Sequence, residues 1–362
     1  MITNFKNNKE NSLINYLFSR VNTDIGFTKE QSAHLKEDIK QNSIITFITS
    51  DFSNYDGNDN LVGKTIKCFK NINIEFKKVS ENEIVVSAKN KKDAMNILFD
   101  FFDSMGDKYY KFFKSLVDNK QIEMGYVGDY SNMAETTWLN CLNKSYVCCS
   151  SSTYNFYSLI SLVHEVGHAY EASVVNNKNN KSFSTLFYEV SSCFFEYLFL
   201  RYVNDRRILV NDGKILEFDF LYDIYYFFFQ NVLVQSLGNI FILDDYNLTI
   251  DFFTKKKLVD ELNRKYNSNI QLDDNPINVR DALIYGYGRL IGINIYDRYV
   301  DDKKDILKRF DNFMNQYTLV GTFDSIDVLG ISKDDLISNK VLKRTLKEYK
   351  IKYDDYIVRN RK

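Results

Sequence analysis

Proline is almost absent from this chain: Pro276 stands alone among 362 residues, and glycine is held to 14. So few breakers leave no Pro- or Gly-rich linker to mark a domain boundary, and long helices are the natural reading. An excess of either charge is also lacking. Lys and Arg number 47 against 48 Asp and Glu, a net charge of −1, so no basic field exists to attract nucleic acid. The runs Lys255, Lys256, Lys257 and Lys303, Lys304 read as solvated helix faces. Five cysteines, at 68, 141, 148, 149 and 193, are an odd number without paired spacing. That excludes a disulfide framework and points to reduced thiols in a cytoplasmic protein. Residues 224–243 are strongly aromatic, but Gln230, Asn231, Gln235 and Asn239 interrupt them; a buried helix is expected there, and no membrane span. Residues 1–10, rich in Asn and Lys, lack the apolar core of about 7–15 residues that a secretory signal needs.

Histidine is scarcer still, with three in the chain, and two of them stand four apart in His164-Glu165-Val166-Gly167-His168. On a helix, positions i and i+4 share one face, so both imidazoles can reach one ion while Glu165 is turned off that axis. Two histidines and one further ligand leave a position where bound water becomes nucleophilic near neutral pH, and an adjacent carboxylate can take its proton. Leu159, Ile160, Leu162, Val163 and Val166 supply the apolar positions of such a helix. Gly167 costs about 1 kcal/mol relative to Ala inside a helix, which suggests close approach of a second backbone or of a substrate.

The third ligand is expected from the segment Tyr188-Glu189-Val190-Ser191-Ser192-Cys193-Phe194-Phe195-Glu196. Its two glutamates stand seven apart, two helical turns, and so on one side. Phe187, Val190, Phe194, Phe195, Leu198, Phe199 and Leu200 make the helix very apolar, and carboxylates in such surroundings need partners. Glu189 is the candidate ligand, and Glu196 the acceptor that holds a histidine N–H. Cys193, four residues after Glu189, could face the same ion, although packing as a small apolar residue is its expected role.

These two segments together resemble the thimet oligopeptidase and oligoendopeptidase F family of zinc metallopeptidases, whose second helix reads Glu-x-x-Ser-x-x-x-Glu or a close variant with its first Glu as third zinc ligand. Upstream, Lys92 to Leu98 and Met105-Gly106-Asp107-Lys108-Tyr109-Tyr110 resemble the family's stretch before the active-site strand. Downstream, Tyr285-Gly286-Tyr287 resembles its Tyr-x-Tyr element, and Val328-Leu329-Gly330-Ile331 is similar to its closing segment. The resemblance covers about residues 85 to 355 and is most specific at the two zinc helices.

The resemblance implies a mainly α fold of helical zincin type, with a small β-sheet beside the active-site helix and a deep channel. It implies a zinc-dependent endopeptidase that holds one Zn2+ per chain on His164, His168 and Glu189 and hydrolyses short peptides, with Glu165 as general base. Tyr287, the better match, and Tyr285 are the expected hydrogen-bond donors to the oxyanion. The chain departs from the family where a histidine usually stands about ten residues before the phenols, reading Asp273-Asp274-Asn275-Pro276-Ile277-Asn278-Val279-Arg280. Arg280 could supply the missing positive donor, although a surface arginine is its expected role, and His34 lies far upstream. That departure motivates an alternative, a catalytically silent peptide-binding relative; a zinc exopeptidase is another.

Residues 145–150, Ser-Tyr-Val-Cys-Cys-Ser, read either as an edge strand offered to a peptide backbone or as an ordinary core strand. The polar stretch from Asn54 to Asn60 reads as a loop, followed by short strands around Ile72, Ile74, Phe76 and Ile84 to Val86. Residues 1–84 are therefore expected as a reduced N-terminal region packed on a catalytic domain over 85–362.

Overall fold

A computed structural model describes residues 88–125, 133–139, 144–151, 153–176, 187–206, 279–316 and 325–338, with positions 260, 340, 341 and 344. The expected strands at 72–86, the aromatic stretch at 224–243, His34, Cys68 and Cys141 lie outside them. Contacts divide the chain into two compact units, which separate within 83–362 as 83–182 with 191–211, and 183–190 with 212–362.

Among the described residues, the first unit begins with α1 (Lys91–Met105), capped by Asn90, whose side chain accepts from the Asp93 N–H at 3.0 Å. Gly106 ends it at φ 133°, a backbone conformation that glycine adopts without strain, and the chain reverses into α2 (Asp107–Asp118). The two helices meet through Phe102 and Phe113, stacked with centroids 4.4 Å apart. Three strands follow: β1 (Ile122–Gly125), β2 (Met133–Leu139) and β3 (Lys144–Ser150). Their order is β1-β3-β2, with β1 parallel and β2 antiparallel to β3.

The centre of that sheet decides between the two readings of residues 145–150 in favour of a core strand. Residues 145–150 form the middle strand and offer no edge to a peptide. Every residue from Ser145 to Ser150 is buried, the pattern of a strand covered on both faces, where alternation is lost. In the sheet as described, the edges belong to β1 and β2.

The sheet packs against α3 (Phe156–Asn176), the helix that carries the paired histidines. Asn155 starts α3 by accepting from the Ser158 N–H at 3.0 Å, an N-cap bond. Helix α4 (Val190–Arg206) is buried at every position from Val190 to Leu200. Its phenyl rings meet those of the neighbouring helices: Phe195 lies 6.1 Å from Phe102 and 5.7 Å from Tyr170, and Phe199 lies 5.1 Å from Phe101. Buried aromatic residues supply large apolar area with few rotamers, and here they join α1, α2, α3 and α4 into one core.

In the second unit, α5 (Val279–Asp301) turns at Asp302 into α6 (Lys303–Gln316), where the Asp302 side chain caps the Asp305 N–H at 3.0 Å. Helix α6 packs on a 3-10 turn (Ser325–Leu329), and a short α7 (Lys333–Ser338) follows. Phe187 rests on Phe313 with centroids 5.7 Å apart. The described residues are thus mostly helical with one small sheet, as the sequence led us to expect. No helix among them is long and apolar enough to cross a membrane.

Candidate metal centre

Helix α3 presents its polar residues at the depth of the core. Leu159, Leu162, Val163 and Val166 are fully buried, and His168, one turn beyond His164, is 6% exposed. The Nε2 atoms of the two imidazoles lie 3.2 Å apart, with the ring planes at 80°. His164 Nδ1 lies 2.7 Å from Glu196 Oε1 on α4. A carboxylate accepts and cannot donate, so Nδ1 carries the proton there and the His164 Nε2 lone pair is directed toward His168.

Glu189 joins the pair. It occupies the turn that enters α4, which begins at Val190, and is 4% exposed. One ligand atom from each of His164, His168 and Glu189 lies within 4.8 Å of the others. Two imidazoles and a carboxylate form a donor set suited to zinc, and four-coordinate zinc holds nitrogen ligands at about 2.0–2.1 Å, hence roughly 3.3 Å from one another. The 3.2 Å between the Nε2 atoms matches that spacing, so the paired imidazoles fit the ion, with the Glu189 carboxylate within 4.8 Å of them. Glu196 stands against His164 Nδ1, the place where carboxylates are commonly found behind a ligating histidine.

Two glycines let backbones close on this site. A Cβ on Gly167 would stand 2.7 Å from Ser192 Cα, so α3 and α4 cross where neither helix has a bulky side chain. The cost of a glycine in the helix interior is thereby explained: the close neighbour is backbone. In the second unit, a Cβ on Gly288 would stand 2.4 Å from Glu189 Cβ, so α5 lies directly on the proposed carboxylate ligand. Tyr287, the adjacent residue, is fully buried. Position 285 is also on α5, but two residues along a helix are about 200° apart around its axis. Residues 285 and 287 therefore occupy different faces of α5. Arg280 is in the first turn of α5; its side chain and that of Tyr285 lie outside the described residues.

Glu165 is 9% exposed. Its backbone carbonyl accepts a hydrogen bond from Thr136 Oγ1 on β2 at 2.7 Å, which ties α3 to the sheet at the residue between the two ligands. The cysteines that the structure describes, Cys148, Cys149 and Cys193, are buried thiols. Cys193 does not join the three-residue group. Burial pushes the Cys149 thiol up to about 12, with smaller contributions from Cys148 and Glu165, so this neighbour stays protonated and uncharged near neutrality.

Three features of this region were not read from the sequence: the Thr136 bond, the seating of Gly288 on Glu189, and a hydrogen bond from Ser191 to Glu171. Glu171 was open to discovery by the argument that singled out Glu189, since it too is a carboxylate on an apolar helix. Gly288 carried the weaker signal of an isolated glycine inside a helix.

No family model matches the chain, and no curated protein matches its sequence. Solved structures do match. A candidate oligoendopeptidase F from Bacillus anthracis str. Ames superposes with a TM-score of 0.58 at 13% identity, over 93% of this chain and 61% of that one. PZ peptidase A, solved with an inhibitor, gives 0.56 at 12% identity over 84% and 57%. A candidate peptidase from Chlamydophila abortus gives 0.52 at 12% identity over 95% and 62%. The chain thus has the fold of oligoendopeptidase F-like peptidases. It spans about three fifths of the length of these structures.

Proposed function

We propose that this chain is a zinc-dependent endopeptidase that cleaves short peptides, with His164, His168 and Glu189 holding the metal. The observation that carries the reading is the convergence of these three side chains within 4.8 Å, in a fold shared with peptidases. Bound there, zinc would supply a Lewis acid and lower the pKa of a bound water toward neutrality.

The chain's own residues supply the rest. Glu165, adjacent to the ligand His164, is the general base: its carboxylate accepts the proton of the attacking water and delivers it to the departing amine. Glu196 keeps His164 in the Nδ1–H tautomer and fixes the plane of its ring. Tyr287 is the preferred donor to the oxyanion, with Tyr285 as the alternative, and Arg280 is the candidate for the positive group that takes the place of the family's histidine. The catalytic part spans 85–362 in this reading, with residues 1–84 as a reduced N-terminal region. Its substrates are short peptides, and nucleic acid and membranes play no part.

The test is cleavage of a mixed library of short peptides by purified, zinc-loaded protein, read by mass spectrometry. Internal cuts that vanish with a chelator and in Glu165→Gln support an oligoendopeptidase. General acid–base catalysis is worth about 10²- to 10⁴-fold, so the variant should lose at least that much while keeping its zinc. Cuts confined to chain ends would favour the exopeptidase. Tight peptide binding with no cuts would favour the silent binding protein, which the replacement of the histidine before Tyr285 makes a specific rival.

A further inference from the structure

Glu189 sits in the turn before Val190, the first residue of α4, so its position depends on how the first turn of that helix is anchored. Two contacts anchor that turn to α3. Ser192 Cα lies against Gly167, at 2.7 Å from where a Cβ would stand. Beside it, Ser191 Oγ donates to Glu171 Oε2 at 2.5 Å. Gly167 and Glu171 are one helical turn apart on α3, so two successive residues of α4 span one turn of the metal helix. The polar contact is sealed, with Glu171 2% and Ser191 1% exposed. Charge-assisted bonds of this kind are about twice as strong as neutral ones, and water does not compete for this one.

We propose that the Ser191–Glu171 hydrogen bond is a positioning device for the metal centre, fixing the register between α3 and α4 and so the placement of Glu189 relative to His164 and His168. Glu171 stands three residues after His168, and Ser191 stands two after Glu189, so the bond closes a short loop from one ligand to another. Neither residue belongs to the three-residue ligand group. They act through Glu189, by making its approach to the histidines part of the folded framework. The proposal rests on the metal reading above.

Zinc affinity of the full chain, measured by competition with a chromophoric chelator, tests it beside the unfolding midpoint of the metal-free protein. Wild type should bind one zinc, and His164→Ala should lose it. Ser191→Ala removes the donor and should weaken zinc binding by about 10- to 100-fold, the range found when a group behind the ligands is lost. Glu171→Gln keeps an acceptor oxygen for Ser191, so it should retain more affinity than Ser191→Ala and serves as a second variant should the first not fold. A merely structural bond would lower the metal-free midpoint in Ser191→Ala and leave zinc affinity as in wild type; that result overturns the proposal while the metal site stands. Wild type that binds no zinc would sink both.

Discussion

Helices α2 and α4 belong to the same unit and contribute to the same aromatic core, yet they use acidic residues in opposite ways. In α2 the acids face water: Asp107 pairs with Lys111 and Asp118 with Lys114, each four residues apart and each about half exposed or more. Such pairs decorate an amphipathic helix whose inward residues are Tyr109, Phe113 and Leu116. Helix α4 has no solvated side from Val190 to Leu200, and Glu196 within it is turned onto His164. A carboxylate on α2 needs no special explanation; one on α4 has to be held by a partner, because burial without one costs several kcal/mol. Burial thus separates acids that must be held by a partner from acids that keep a helix face wet.

The contrast can be broken by substitution. The largest effect should come from the core that α4 builds: Phe195→Ala removes a fully buried ring and should cost about 3–5 kcal/mol, read as a fall in the urea midpoint. Next, Glu196→Gln should weaken zinc binding by about 10- to 100-fold in a chelator competition, since an amide can no longer hold the His164 Nδ1–H as a charged acceptor does. The next effect concerns Cys149 and accumulates with pH. Burial holds its thiol near 12 in the folded protein, above its ordinary value of 9.0. The folded state therefore binds this proton more tightly than the unfolded chain, and stability should fall as pH rises from about 9 toward about 12. The slope reaches about 1.4 kcal/mol per pH unit at most, and unfolding midpoints of wild type against Cys149→Ala would reveal it as a steeper alkaline loss in wild type. The smallest belongs to α2: Lys111→Ala should change stability by no more than about 0.5 kcal/mol in the same urea titration. A large loss there, or none at Glu196, would erase the distinction between the two helices.

Much of the site could be read directly, because its chemistry is local in sequence. The spacing of His164, Glu165 and His168 follows the helical repeat, and Glu189 and Glu196 stand out as acids in a phenylalanine-rich segment. Gly167 announced a close neighbour, and Ser192 is that neighbour. What periodicity does not carry is pairing between elements. Residues 145–150 were as compatible with an edge as with a centre, and the decision lay in β1 and β2, which lie on either side of β3. A run from Tyr146 to Cys149 without polar alternation was the available clue, since strands buried on both faces lose it. Thr136 reaching the Glu165 carbonyl and Gly288 lying on Glu189 join residues 29 and 99 positions apart (165 − 136 and 288 − 189), and no local pattern encodes such contacts. Glu189 also proved to stand in the turn before α4, one residue outside the helix that the spacing suggested.

The donor set is the centre of this account, and the X-ray absorption spectrum of the full chain loaded with one equivalent of zinc addresses it most directly. Two histidines and a glutamate should give a single nitrogen and oxygen shell at about 2.0–2.1 Å, with outer-shell scattering from two imidazoles. A sulfur shell at about 2.3 Å would place a thiolate such as Cys193 on the ion and contradict the assignment of Glu189.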